Sequence, residues 1–189
     1  MKKEIESSLN ESIRVKNELL SSSVESVIQI ANILIESFKA GHSLYLMGNG
    51  GSAADAQHIA AEIIGRYKTK RKGLPAIALT TDSSVLTAIS NDFGYSSIFE
   101  RQVEALANPG DILIGISTGG SSINVITALK LAKNIQCKTI GLSGKDGGDF
   151  NALCDVNLIA IAEDTPRIQE MHILFGHTIC QLIDSAFND

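Results

Sequence analysis

His58 and Glu62 stand four residues apart in a segment of helical pattern, which puts their side chains on one face, about 40° apart around the axis. An imidazole and a carboxylate so placed can share a proton or a metal ion. Farther along, Gln169, His172 and His177 interrupt an apolar stripe of Ile168, Met171, Leu174, Phe175, Ile179, Leu182 and Ile183. A single histidine in such a setting is more often a hydrogen-bonded core or surface residue than a ligand, and His42 reads as structural. A different chemistry lies in two turns, Gly48-Asn49-Gly50-Gly51-Ser52 and Ser117-Thr118-Gly119-Gly120-Ser121-Ser122. The second crowds four hydroxyls into six residues. Its glycines let backbone approach a ligand, and a helix beginning there would offer free N–H groups and the positive end of its dipole to an anion. Strand-to-helix turns favour Gly and Ser for capping alone, so the pair of turns says more than either one. Neither fits Gly-x-x-x-x-Gly-Lys-Ser/Thr, and the first lacks Gly-x-Gly-x-x-Gly. A small phosphorylated ligand is expected in preference to a nucleotide.

The elements that must position these groups follow from periodicity. Ile5, Leu9, Ile13, Lys16 and Leu20 recur at helical spacing, and a broader apolar stripe from Val24 to Phe38 makes a second helix that ends at Gly41. Leu44 to Met47, Pro75 to Thr80, Asp111 to Ser117, Lys138 to Ser143 and Val156 to Ile161 read as five short buried strands. Between them the pattern predicts helices over 53–65, 82–91 with Asp82 as N-cap, 97–106 and 123–133. Residues 144–148 form a turn, and a long final helix covers 165–187. Such alternation predicts a doubly wound five-stranded parallel sheet flanked by helices, Rossmann-like, with N-terminal helices in front of it. Residues 1–40 are expected to pack in an oligomer and residues 41–189 to form the α/β unit, within one structural domain. Strand C-termini and helix N-termini then share one edge, where ligands bind at the reversal of strand order. Both glycine turns belong on that edge.

At 189 residues, with 44% hydrophobic and 20% charged, the chain has the balance of one globular domain. A formal net charge of -5 argues against a nucleic-acid partner, and the locally basic stretch Lys68 to Lys72 reads as a solvated loop before a strand. Cys137, Cys154 and Cys180 have no metal-like spacing and read as buried thiols in a reducing compartment. With no signal-like or membrane-length apolar run, a cytoplasmic protein without membrane contact is the expectation.

Six separated motifs carry a resemblance across nearly the whole chain. They are Gly48-Asn49-Gly50-Gly51-Ser52-Ala53-Ala54-Asp55-Ala56-Gln57-His58, Glu62 with Gly65-Arg66-Tyr67, Asn91-Asp92-Phe93-Gly94, Gly115-Ile116-Ser117-Thr118, Gly141 to Gly148, and Arg167-Ile168-Gln169-Glu170-Met171-His172. In this order they resemble the phosphoheptose isomerase family of sugar isomerase (SIS) domain enzymes. The resemblance implies a ketose–aldose isomerase that converts D-sedoheptulose 7-phosphate to D-glycero-D-manno-heptose 7-phosphate, the entry to the heptose of lipopolysaccharide, S-layer glycan or capsule. It also implies a homotetramer with active sites between subunits. Carried over, substrate contacts fall on Asn49, Gly50, Gly51, Ser52, Glu62, Asn91, Asp92, Ser117, Thr118, Gly119, Ser122 and Gln169, and the catalytic pair on Glu62 and His177. A zinc ion would use His58, Glu62, Gln169 and His177, donors that suit it.

Gln169 and His177 are eight residues apart, about 12 Å along one helix, so a second chain is expected to supply one of them. The family usually reads Ser-Thr-Ser-Gly in the phosphate loop, and Gly119 here removes a hydroxyl while keeping the backbone N–H. Pro166 stands where relatives often place a hydrogen-bonding residue. Two alternatives stay open: a non-catalytic SIS-domain tetramer that binds the replication initiator DnaA, and an isomerase of another sugar phosphate.

Overall fold

The computed structural model describes residues 1–188. Its frame is five parallel strands, β1 (Leu44–Gly48), β2 (Ala76–Ala78), β3 (Ile112–Ile116), β4 (Lys138–Gly144) and β5 (Val156–Ala160), ordered β2-β1-β3-β4-β5. Strands β1 and β3 are buried at every position, which is why they read as unbroken apolar runs rather than as alternation. Alternation survives in which face each residue serves. Leu44, Leu46, Ile112, Ile114 and Ile116 enter one core, and Tyr45, Met47 and Leu113 enter the other.

The first core is covered by α1 (Lys2–Ser22), α2 (Val24–Lys39), α3 (Gly51–Ile64) and α8 (Thr165–Ala186). The second lies under α5 (Glu100–Leu106) and α6 (Ile123–Asn134), with α4 (Ser83–Phe93) and the one-turn α7 (Phe150–Leu153) beside it. The five strands and the expected helices stand where periodicity put them, with ends shifted by a few residues. The Asp82 carboxylate accepts the Val85 N–H at 3.0 Å and caps α4 as expected. Sequence periodicity missed α7 and the single 3-10 turn Tyr95–Ser97. Four residues are too few for a helical repeat. Tertiary burial of Phe150, fully enclosed in the second core, is what fixes the α7 turn.

Among the described residues no single helix is long and apolar enough to cross a membrane. The three cysteines are free, and burial pushes the Cys137 thiol up to about 11 and those of Cys154 and Cys180 to about 12. They behave as small apolar groups.

Candidate active site

Strand order reverses between β1 and β3, and the register pairs Gly48 with Ile116 at their C-terminal ends. The two glycine turns therefore leave neighbouring strands at the switch point, where the sheet opens a crevice. In the first, Gly50 has φ +57, and the chain enters α3 at Gly51 with the Ser52 side chain tucked in. A Cβ on Gly51 would strike the Gln169 amide, so Gln169 of α8 covers the start of α3. In the second, the Ser117 and Ser122 hydroxyls meet at 2.9 Å and close the loop, while Thr118 and Gly119 are half-buried above it. This pair of helix starts is an anion cradle of backbone amides and hydroxyls.

An amide pair bridges the two turns. Asn49 Nδ2 donates to Asn124 Oδ1 at 3.0 Å, Asn124 Nδ2 returns a bond to Asn49 Oδ1 at 2.8 Å, and the Tyr95 hydroxyl donates to that same oxygen at 2.9 Å. Sequence reasoning missed Asn124 and Tyr95. The available signal was a buried amide in a run of Ile123, Val125 and Ile126 on the first turn of α6. Asn91 and Asp92 lie exposed on the last turn of α4, where the Asn91 amide donates to the Asp92 carboxylate at 2.8 Å.

Behind the second turn stands the segment Gly144–Gly148. A Cβ on Gly120, at φ +61, would collide with the Gly147 carbonyl oxygen, and one on Gly148, at φ +52, with the Gly119 carbonyl oxygen. Only glycine permits this backbone-on-backbone contact. A Cβ on Gly119 meets nothing closer than the Ser121 hydroxyl at 3.4 Å, and its φ is ordinary. The loop therefore has room for the serine of related enzymes. One new hydrogen bond at about 0.5–1.5 kcal/mol makes the expected effect of Gly119→Ser a KM lowered by about two- to tenfold. Gly120→Ala is expected to raise KM by at least as much. Steady-state kinetics of both variants checks the opposite signs.

Farther along α3, His58, Glu62 and His177 come together, with one ligand atom of each within 4.8 Å of the others. His58 Nε2 lies 3.1 Å from His177 Nε2 and 3.4 Å from Glu62 Oε1. Parallel packing of α8 on α3 creates the meeting, with Gly176 seated on Ile59. Two imidazoles and a carboxylate can hold a metal ion. Bonds of about 2.0–2.2 Å would span tetrahedral edges of about 3.3–3.6 Å, close to the two separations that His58 makes.

Gln169 is not part of this group. It sits at the head of α3, about 12 Å up α8 from His177. Asp55, to which the motif assigns no role, lies between the two along the stripe Gly51, Asp55, His58, Glu62. Its Oδ2 is buried without a partner, and burial raises its carboxyl above the usual range, with His58 opposing.

His172 belongs to the core. It is fully buried, its Nε2 bonds the Ser143 carbonyl at 2.8 Å, and burial holds its pKa down to about 4 against that bond. His42 stands near Asp111 at 3.7 Å, before β1 and hence at the opposite end of the sheet. One expectation is corrected: the loop Lys68 to Lys72 is not simply solvated. The Arg71 side chain is 1% exposed and pairs with Asp184 at 2.7 Å.

A five-stranded parallel sheet with anion-ready turns at its switch point fits a sugar isomerase domain, and the SIS domain family model matches residues 9–144. A phosphoheptose isomerase of Aliarcobacter butzleri is 63% identical over 164 residues, 87% of each chain. The solved structure of the phosphoheptose isomerase from Neisseria gonorrhoeae superposes with a TM-score of 0.93 at 44% identity, covering 97% of this chain and 98% of that one. The one from Francisella tularensis superposes at 0.94 with 34% identity, covering 97% of both. The chain belongs to the SIS domain family, among its phosphoheptose isomerases.

Proposed function

We propose that this chain interconverts D-sedoheptulose 7-phosphate and D-glycero-D-manno-heptose 7-phosphate through an enediol, as a cytoplasmic step of heptose biosynthesis for lipopolysaccharide, S-layer glycan or capsule. The observation that carries the reading is the meeting of Glu62 with His177 in a fold whose switch point carries two anion-ready turns. Asn49, Gly50, Gly51, Ser52, Ser117, Thr118, Gly119, Ser122 and Gln169 bind the phosphate and sugar hydroxyls, with Asn91 and Asp92 added from the exposed end of α4. Glu62 removes a proton from C1 of the open-chain ketose, and the C1–C2 double bond forms. His177 protonates O2 to give the enediol. It then takes the proton from O1 as the C1 carbonyl forms, while Glu62 returns its proton to C2. His58, Glu62 and His177 would hold zinc, with Gln169 of a second subunit as the fourth ligand since this chain's own Gln169 is about 12 Å away, and a bound zinc would supply polarisation of the carbonyl.

Glu62 stands eleven residues beyond Gly51, about 16 Å along α3, whereas a stretched heptulose phosphate spans about 9 Å from phosphorus to C2. A cradle and a catalytic pair from different subunits would remove the mismatch. Homotetramer assembly has further support in α1, where Ile5, Leu9 and Ile13 are each more than half exposed at helical spacing, and in Leu20, Val24, Ile28 and Leu174 beside them. Proton NMR with sedoheptulose 7-phosphate tests the reaction, and an unchanged spectrum would sink it. Sedimentation tests the assembly, with an active monomer as the contrary result. Assay before and after chelation tests the zinc.

A further inference from the structure

Tyr67 lies in the second resemblance motif, yet no step of the reaction uses it. Its ring stacks on the His177 imidazole with centroids 5.5 Å apart and planes 30° from parallel, while His58 meets that imidazole edge-on at 5.0 Å and 63°. A histidine on a helix surface turns about two soft torsions, so its nitrogen faces a chosen direction only where neighbours block the others. Tyr67 is such a neighbour, and it is itself held. The Lys68 ammonium stands 5.3 Å from the Tyr67 ring centre and donates to Gln181 Oε1 at 2.7 Å.

The backbone N–H groups of Lys68 and Thr69 both donate to Asp184 Oδ2, at 2.6 and 2.9 Å. Arg71 binds the other Asp184 oxygen and donates to the carbonyls of Ile63 at 2.9 Å and Glu62 at 3.0 Å, capping the end of α3. His177, Gln181 and Asp184 follow at helical spacing on one face of α8. A strap of four residues, Lys68–Arg71, is thus nailed along that face at one side and to the helix carrying Glu62 at the other.

We propose that Tyr67 is a positioning residue: stacked on His177 and fixed by the Lys68–Arg71 strap, it aims the imidazole at His58 and Glu62. The inference rests on the isomerase reading. Stacking needs the ring and not the hydroxyl, which separates this role from proton transfer by the phenol. Tyr67→Leu is expected to lower kcat by about ten- to a hundredfold with KM within about twofold, since misplacing a reacting group by an ångström costs that much. Tyr67→Phe is expected to stay within about threefold of wild type.

A second readout is independent of turnover. The ring-proton NMR signals of His177 should carry the ring-current shift of a stacked neighbour in wild type and Tyr67→Phe, and lose it in Tyr67→Leu. Full kcat in Tyr67→Leu, a Tyr67→Phe as slow as Tyr67→Leu, or His177 signals alike in all three would overturn the proposal. A wild-type protein inert toward sedoheptulose 7-phosphate but carrying the shift would instead overturn the isomerase reading alone.

Discussion

Glu62→Gln is expected to lower kcat by about 10²–10⁴-fold, the range that a positioned acid–base group supplies, with the urea midpoint left near wild type. The two halves of that expectation have separate causes. The Glu62 side chain is only 27% exposed, yet its partner is His58 rather than a buried cation, so an amide of the same shape leaves no uncompensated charge in the core. On the proposed mechanism activity falls because an amide cannot accept the proton from C1. Loss of deuterium wash-in from solvent at C2 should accompany the loss of turnover, and His177→Gln should match it. If Glu62→Gln turned over within a few-fold of wild type, the carboxylate would not be the base.

How much of this was legible depends on the distance over which each feature is written. Strands β1 and β3 announce themselves because burial on both faces demands apolar residues at every position, and the polar turns that end them mark the ligand edge. The His58–Glu62 relation is local, set by four residues of one helix, and it holds. The arrival of His177 beside them is not local. It depends on α8 packing parallel to α3 with Gly176 against Ile59, a register that no short pattern encodes.

Arg71 shows the same limit from the other side. Amid Lys68, Lys70 and Lys72 it looks like one more solvated charge, and only Asp184, over a hundred residues away, reveals it as a buried cap for α3. Asn124 and Tyr95 went unread because the amide that binds them, Asn49, was assigned to substrate alone, whereas its oxygen already accepts two bonds from the protein. Asn49 thus joins the β1 turn to α6 whether or not a ligand is present.

Asp184→Asn is expected to destabilise the fold by about 3–5 kcal/mol at pH 7, the cost of removing one partner of a buried ion pair. The Arg71 and Asp184 side chains are 1% and 3% exposed, so the guanidinium left behind has no water to replace the lost charge. Burial alone would raise the Asp184 carboxyl, but the N–H groups of Thr69 and Lys68 and the Arg71 guanidinium outweigh it and hold the pKa down to about 2. With a folded value below the unfolded one of about 3.9, the unfolded chain binds the extra proton between them. This contribution is complete above pH 4 and is lost as pH falls through 2.

His172 acts over a higher window. Held neutral with a pKa of about 4 against 6.5 when unfolded, it makes stability fall as pH drops from 6.5 through 4. Urea midpoints from pH 7 to pH 2 should therefore decline in two stages in the wild type, and in Asp184→Asn the lower stage should vanish from a curve already displaced downward. A variant that matches wild type at pH 7 would show that Arg71 finds water or another acceptor, and the strap would then lose its anchor in α8.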